Sequence, residues 1–194
     1  MKYQTKTYLL IVLFVFLQLV VYKWIQLIPA EGFKLTTPLD MAIPFVPHFI
    51  IPYLLVFPLV VVPFVLAWKR PKDLRKVVYA FLLATIIGEI IFIVFPTTMV
   101  RPELSGGDIF TDLVLHTYAV DSPPKNCFPS FHVTISTLTT LLCLKLSKRV
   151  GLATLPLTVL IILATVFIKQ HYVVDIFGGL VLASFSYWWF FKRK

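Results

Sequence analysis

Charge is scarce in this chain. Of its 194 residues only 14% are Asp, Glu, Lys or Arg, where a soluble globular domain carries roughly 25%. Too little charge to cover a water-facing surface, together with 59% apolar residues gathered in long runs, excludes an ordinary soluble fold. Acidic residues are the scarcer sign, nine against 18 basic ones. They are scattered and form no carboxylate clamp of the kind that holds Mg²⁺, so neither a metal nor another cofactor is expected. Cysteine is limited to Cys127 and Cys143, 16 residues apart. At helical rise that is roughly 24 Å, too far for a disulfide, and both are read as packing residues rather than a redox or metal pair. Internal repeats and low-complexity tracts are absent, so residues 1–194 are read as one domain. No small-x-small cleavage site follows the first apolar run, and that run is read as a span rather than a signal peptide although Lys2 and Lys6 precede it.

What the chain has is apolar length. A hydrocarbon core about 30 Å thick takes about 20 helical residues to cross. Six runs approach that length: Tyr8–Ile28, Phe49–Trp68, Val77–Phe95, His132–Leu144, Leu152–Ile168 and Val173–Phe191, the fourth being the shortest. The expected fold is therefore all-α, a polytopic membrane protein of six transmembrane helices. With six spans, 13 of the 18 basic residues fall on the side of the termini, at the N-terminus, at Lys69 to Lys76, at Lys145 to Arg149 and at Lys192 to Lys194. Lys23, Lys34, Arg101, Lys125 and Lys169 fall on the other. The positive-inside rule places both termini in the cytoplasm. The net charge of +9 then reads as topology and contact with anionic lipid headgroups. Nucleic acid is not an expected partner, because the basic residues flank helices and form no stripe interleaved with aromatics. Oligomeric state leaves no mark in the sequence.

Two polar stretches stand at the mouths of apolar runs, both on the extracytoplasmic side: Cys127-Phe128-Pro129-Ser130-Phe131-His132 and Gln170-His171-Tyr172-Val173-Val174-Asp175. Removing an imidazole or carboxylate from water is costly unless the group is paired, so such residues beside membrane-grade sequence are candidate chemistry. His171 and Asp175, four apart, share a face if helical. The carboxylate can accept a hydrogen bond from one ring N–H and leave the other nitrogen as a nucleophile. Ser130 can cap the fourth span, and the N–H groups of its first turn favour an anion. Arg101 offers a planar fork for phosphate oxygens. The connection of about 96–131 is long for an unstructured loop. Asp108 can cap a helix there, and Ile109, Phe110, Leu113, Val114 and Tyr118 form an apolar stripe, read as a lid helix in the interface. Other polar residues are read blandly: His48 as interfacial packing, Asp112 and His116 as a solvated pair, and Glu89 as a structural hydrogen bond inside its span.

These residues, in this order at the ends of these spans, resemble the type 2 phosphatidic acid phosphatase superfamily, whose pattern is Lys-x6-Arg-Pro, then Pro-Ser-Gly-His, then Ser-Arg-x5-His-x3-Asp. The resemblance implies that His171 is the nucleophile, that Asp175 orients it, that His132 protonates the leaving oxygen, and that Arg101 and Ser130 bind phosphate. Three positions depart from the pattern: Val94 for the lysine, Phe131 for the glycine, and Ala164-Thr165 for Ser-Arg. Two phosphate-binding cations are thus missing, and Lys169 and Lys125 are the candidates to replace them. The wording of the second and third motifs is similar to that of the inositol phosphorylceramide synthase branch. The implied activity is a metal-independent hydrolase of the cell membrane, with an extracytoplasmic site and phosphatidate, phosphatidylglycerol phosphate or a polyprenyl diphosphate as substrate. A transferase passing the phosphoryl headgroup to an alcohol such as inositol, and an inactive binding or scaffold homologue, are the alternatives.

Overall fold

The structure is a computed structural model that describes residues 2–193, with side chains from residue 5 onward; Lys194 of the basic tail lies outside the described residues. Helix α1 (Lys2–Phe16) runs through a π-helical turn (Leu17–Val21) into α2 (Tyr22–Gln26). A five-residue helix α3 (Pro38–Ala42) follows. A 3-10 turn (Pro47–Phe49) then leads into α4 (Ile50–Leu54) and α5 (Val56–Ala67). These two are separated at Leu55 because Pro58 has no N–H to offer the Leu54 carbonyl. The rest of the chain forms α6 (Pro71–Val94), α7 (Ile109–Val120), α8 (Phe131–Leu146), α9 (Lys148–Phe167) and α10 (Val173–Phe191). No strand is present among the described residues.

Five stretches are long and apolar enough to cross a membrane: Thr5–Gln26, Pro47–Ala67, Pro71–Val94, Lys148–Phe167 and Val173–Phe191. The chain is a multi-pass membrane protein. The expected sixth span, α8, has 16 residues, about 24 Å of helix, which is shorter than a hydrocarbon core of about 30 Å. It is the central helix, packed against α5, α6, α9 and α10, with Val133, Leu138, Leu142 and Cys143 fully buried. A helix walled by protein need not match the bilayer, because its neighbours satisfy its terminal backbone groups. Ser130 caps its start, and the Ser130 N–H donates to the Asp175 carbonyl. Hydroxyl bonds from Thr140 to Thr154 and Thr158 tie α8 to α9. The two helices approach so closely that a Cβ at Gly151 would lie 2.4 Å from the Leu144 nitrogen.

One end of the bundle is basic. There Tyr8 meets Trp68, Tyr79 stacks on Phe190, Lys76 sits over the Phe191 ring, and Arg70 donates to the Leu146 carbonyl. The other end carries a cap. Phe33 pairs with Thr97 in parallel sense and Thr98 with Lys125 in antiparallel sense, while the Thr97 hydroxyl accepts from the Cys127 and Phe128 N–H groups that lead into α8. The apolar stripe after Asp108 forms α7 as its spacing predicts, with the Asp108 carboxylate accepting from Phe110 and Thr111 N–H. The bonds to Thr111, hydroxyl first, pull that carboxyl below the usual range.

Candidate active site

The turn between α9 and α10 positions the nucleophile candidate. Lys169 adopts a left-handed φ of 53°, and the N–H groups of Gln170 and His171 both donate to the Thr165 carbonyl. His171 therefore lies in the turn before α10, not on a helix face shared with Asp175 as its spacing suggested. The pair still meets, because Asp175 sits in the first turn of α10 and reaches back. His171 Nδ1 lies 3.0 Å from the Cys127 carbonyl and 3.3 Å from Asp175 Oδ2. Both partners only accept, so Nδ1 carries a proton, and in the neutral ring the lone pair is then on Nε2. Asp175 is fully buried and also accepts from the Tyr172 N–H at 2.9 Å. The His132 ring stacks on Tyr53 at 3.9 Å between centroids and lies 6.2 Å from the His171 ring. Its Nε2 is buried without a partner.

Both histidines line a cavity of about 810 Å³. Its head end is polar, with Arg101, Asp121, Gln170 and Asn126 beside the histidines. Its other end is an apolar groove between Phe14, Val15 and Leu19 of the first span and Val56, Phe57 and Val60 of α5. Phe14, on that apolar side, stacks on Phe64. Val15, Leu19 and Phe57 are exposed on the outside of the bundle, so the groove opens sideways toward lipid.

The residues expected to hold phosphate are placed less uniformly. Arg101 lines the cavity, but its fork is closed on the end of α7. Nη1 donates to the Tyr118 and Asp121 carbonyls, and Nη2 donates to Asp121 Oδ2 at 2.7 Å and Gln170 Oε1 at 2.6 Å. Lys125 lines the cavity with its ammonium donating to the Ile28 carbonyl. Ser130 is fully buried outside the cavity lining, its hydroxyl accepting from Val133 N–H; its position is a helix cap's. Lys169 corrects the sequence reading most clearly. The left-handed residue turns it away from the cavity, and its ammonium donates to the Asp40 and Ile43 carbonyls. Partial burial lowers its pKa from the ordinary lysine range, with Asp40 opposing.

Other polar residues meet expectation in part. Asp112 and His116 are both exposed, as solvated residues should be, although His116 also lines the cavity, and Glu89 is buried with Oε1 unpartnered, away from the cavity lining. His48 packs against Phe110 with the rings tilted, 4.3 Å between centroids. Cys127 is buried, and that burial pushes its thiol up. Among the described residues no group of three or more His, Cys, Asp or Glu is placed to hold a metal ion. Sequence reasoning missed Asp121, whose Oδ1 accepts from Tyr22 and Gln26. It also missed Asp40, whose Oδ1 accepts from Val173 N–H at 2.7 Å and so caps α10 from 133 residues away. Thr37-Pro38-Leu39-Asp40 carries a capping-box signal for α3, but nothing local points to Val173.

Compared with known families, residues 24–189 match the profile of the PAP2 superfamily. The chain belongs to the PAP2 superfamily. No curated protein and no solved structure matches it. PAP2 proteins are in general phosphoesterases. The departures from the PAP2 pattern have structural settings. Phe131 packs against Phe92 and Tyr22 and fills the space over Gly88, where a Cβ would come within 2.1 Å of its ring. Thr165, where the pattern has arginine, serves through its carbonyl, and Val94 points outward, exposed.

Proposed function

We propose that this protein is a lipid phosphatase that removes phosphate from a lipid monoester or diphosphate through a phosphohistidine, without metal, on the extracytoplasmic side of a cell membrane. The carrying observation is His171, its Nδ1 proton committed to two acceptors and its Nε2 free, beside the unpartnered His132 Nε2 at the polar end of a lipid-facing groove. In the first step His171 Nε2 forms a bond to phosphorus, the bond from phosphorus to the lipid oxygen breaks, and His132 gives its proton to that oxygen. In the second step water attacks phosphorus, the N–P bond breaks, and His132 takes the water proton. Asp175 and the Cys127 carbonyl hold the ring direction throughout. The substrate's chains stay in the groove between α1 and α5. In this reading α8 is the sixth span, and the basic end of the bundle, with both termini, faces the cytoplasm.

A second reading, transfer to an alcohol, draws support from the head end itself. Asp121 neutralises Arg101 there, and Asn126 adds an amide suited to hydroxyl groups. One experiment separates the two. Purified protein is given radiolabelled phosphatidate, phosphatidylglycerol phosphate or polyprenyl diphosphate in the presence of a chelator, with and without inositol. The phosphatase reading expects acid-labile phosphohistidine and free phosphate at a rate inositol does not raise, both abolished in His171→Ala. Negligible phosphate with a new phosphodiester on adding inositol would replace it by the transferase. Ordinary turnover in His171→Ala would sink both.

A further inference from the structure

Gln170 lies in the cavity wall next to His171 and has no role in the two-histidine chemistry. It is 3% exposed yet lines the cavity. The direction of its amide is not ambiguous. Arg101 has only donors, so the Gln170 atom 2.6 Å from Arg101 Nη2 is the carbonyl Oε1. That contact turns Nε2 the other way, where it is buried and has no partner. A buried amide donor without an acceptor is destabilising, and native structures keep few of them without a reason. Two further orphans belong to the same wall, Arg101 Nε and His132 Nε2. The nearby cations leave this place open: Lys125 and Lys23 are turned onto backbone carbonyls, and Lys169 lies behind the turn.

From this geometry we infer that Gln170 Nε2 is an oxyanion donor that binds a non-bridging phosphoryl oxygen beside His171, a neutral group standing where a cation is missing. Arg101 fixes the direction of that amide, as a positioning residue, through the bond to Oε1. The left-handed Lys169 and the paired bonds of Gln170 and His171 to the Thr165 carbonyl lock the donor and the nucleophile in one rigid turn. Donor and nucleophile therefore move together, which is the preorganisation an oxyanion site requires. The inference rests on the phosphohistidine reading for its catalytic meaning, but the binding site it describes can be tested alone.

The test is orthovanadate binding to the purified full chain, measured by calorimetry for the parent, Gln170→Met and Gln170→Glu, with thermal unfolding followed in parallel. Gln170→Met keeps the volume and loses the donor. Gln170→Glu keeps the contact to Arg101 and replaces the donor by an acceptor. Gln170→Met should weaken vanadate binding about tenfold to a hundredfold. Gln170→Glu should weaken it at least as much while unfolding at or above the parent's temperature. If Gln170 only braced Arg101, the Glu variant would restore binding. Parent-like vanadate affinity in either folded variant, or no vanadate affinity in the parent, overturns the inference. Turnover by the parent separates the two failures. A parent that never forms phosphohistidine, yet binds vanadate in a Gln170-dependent way, sinks the phosphatase reading and leaves the oxyanion site standing. A parent that turns over while its vanadate affinity ignores Gln170 sinks the site alone.

Discussion

Lys169 and Gln170 are neighbours in sequence and face opposite ways. Lys169, in a left-handed conformation, donates its ammonium to the Asp40 and Ile43 carbonyls, while Gln170 lines the cavity. Lys169→Ala should therefore leave lipid-phosphate KM and vanadate affinity unchanged while lowering stability by about 1–2 kcal/mol, the loss of hydrogen bonds at the turn. Measuring both on one preparation decides it, since a lysine that binds phosphate would raise KM and leave unfolding alone. The same positions show how legible the site was. Type, order and spacing singled out His132, His171, Asp175 and Arg101, and the structure brings three of them to one cavity wall with Asp175 against His171. The three-dimensional placement of Arg101's fork, Asp121 and Gln170 could not be read, because each depends on a contact between segments far apart in sequence. Lys169 was misread for a local reason: nothing in Ile168-Lys169-Gln170 announces a left-handed residue, where glycine or asparagine would have.

At the scale of elements, apolar run length and turn chemistry located every long helix, and Asp108 and Ser130 located two starts. The α4–α5 break and α3 were hidden from periodicity, since the first follows from Pro58 and the second is five residues long and marked only by its capping box; nothing in the structure accounts for the π-helical turn. Packing between elements explains the substitution of Phe131 for the family glycine. Its ring occupies the space that Gly88 on α6 leaves empty. Gly88→Ala should force that ring to move and cost about 1–3 kcal/mol, the range for overpacking a core. Because Phe131 neighbours His132 and lines the cavity, activity should fall along with stability. Pairing Gly88→Ala with Phe131→Leu should recover much of the unfolding temperature. If the double variant is no more stable than the single one, the two residues are not coupled as described.

For the whole molecule, the two ends of the bundle make opposite demands on a labelling reagent. Cys127 is buried and cannot serve as an outside marker, and Cys143 is buried as well. An added cysteine is needed at an exposed position on each end, Ser105→Cys in the cap and Lys72→Cys at the basic end. In intact cells an impermeant thiol reagent should modify the first and spare the second. The reverse pattern would place the histidine cavity in the cytoplasm despite the charge asymmetry that orients the spans.

The same architecture sets a length for the lipid. In the proposed reading a lipid chain lies in the groove from the histidines to Phe14, which stacks on Phe64, and that aromatic pair serves as its floor. Beyond the floor a longer chain must turn out into the bilayer, past the exposed Val15, Leu19 and Phe57. Val60, on the α5 wall of the groove, is where added bulk would shorten the slot without touching the polar head end. Val60→Trp should therefore lower kcat/KM for long-chain lipid phosphates while leaving short-chain, water-soluble phosphates little changed. Each methylene excluded from an apolar contact is worth about 0.8 kcal/mol in water-to-apolar transfer, but much less when the alternative is lipid. A selective loss of about threefold to tenfold is thus the scale to expect. Equal losses on both substrates would show that the tryptophan had disturbed the histidines. No loss on either would show that lipid chains reach the site by some route other than the gap between α1 and α5.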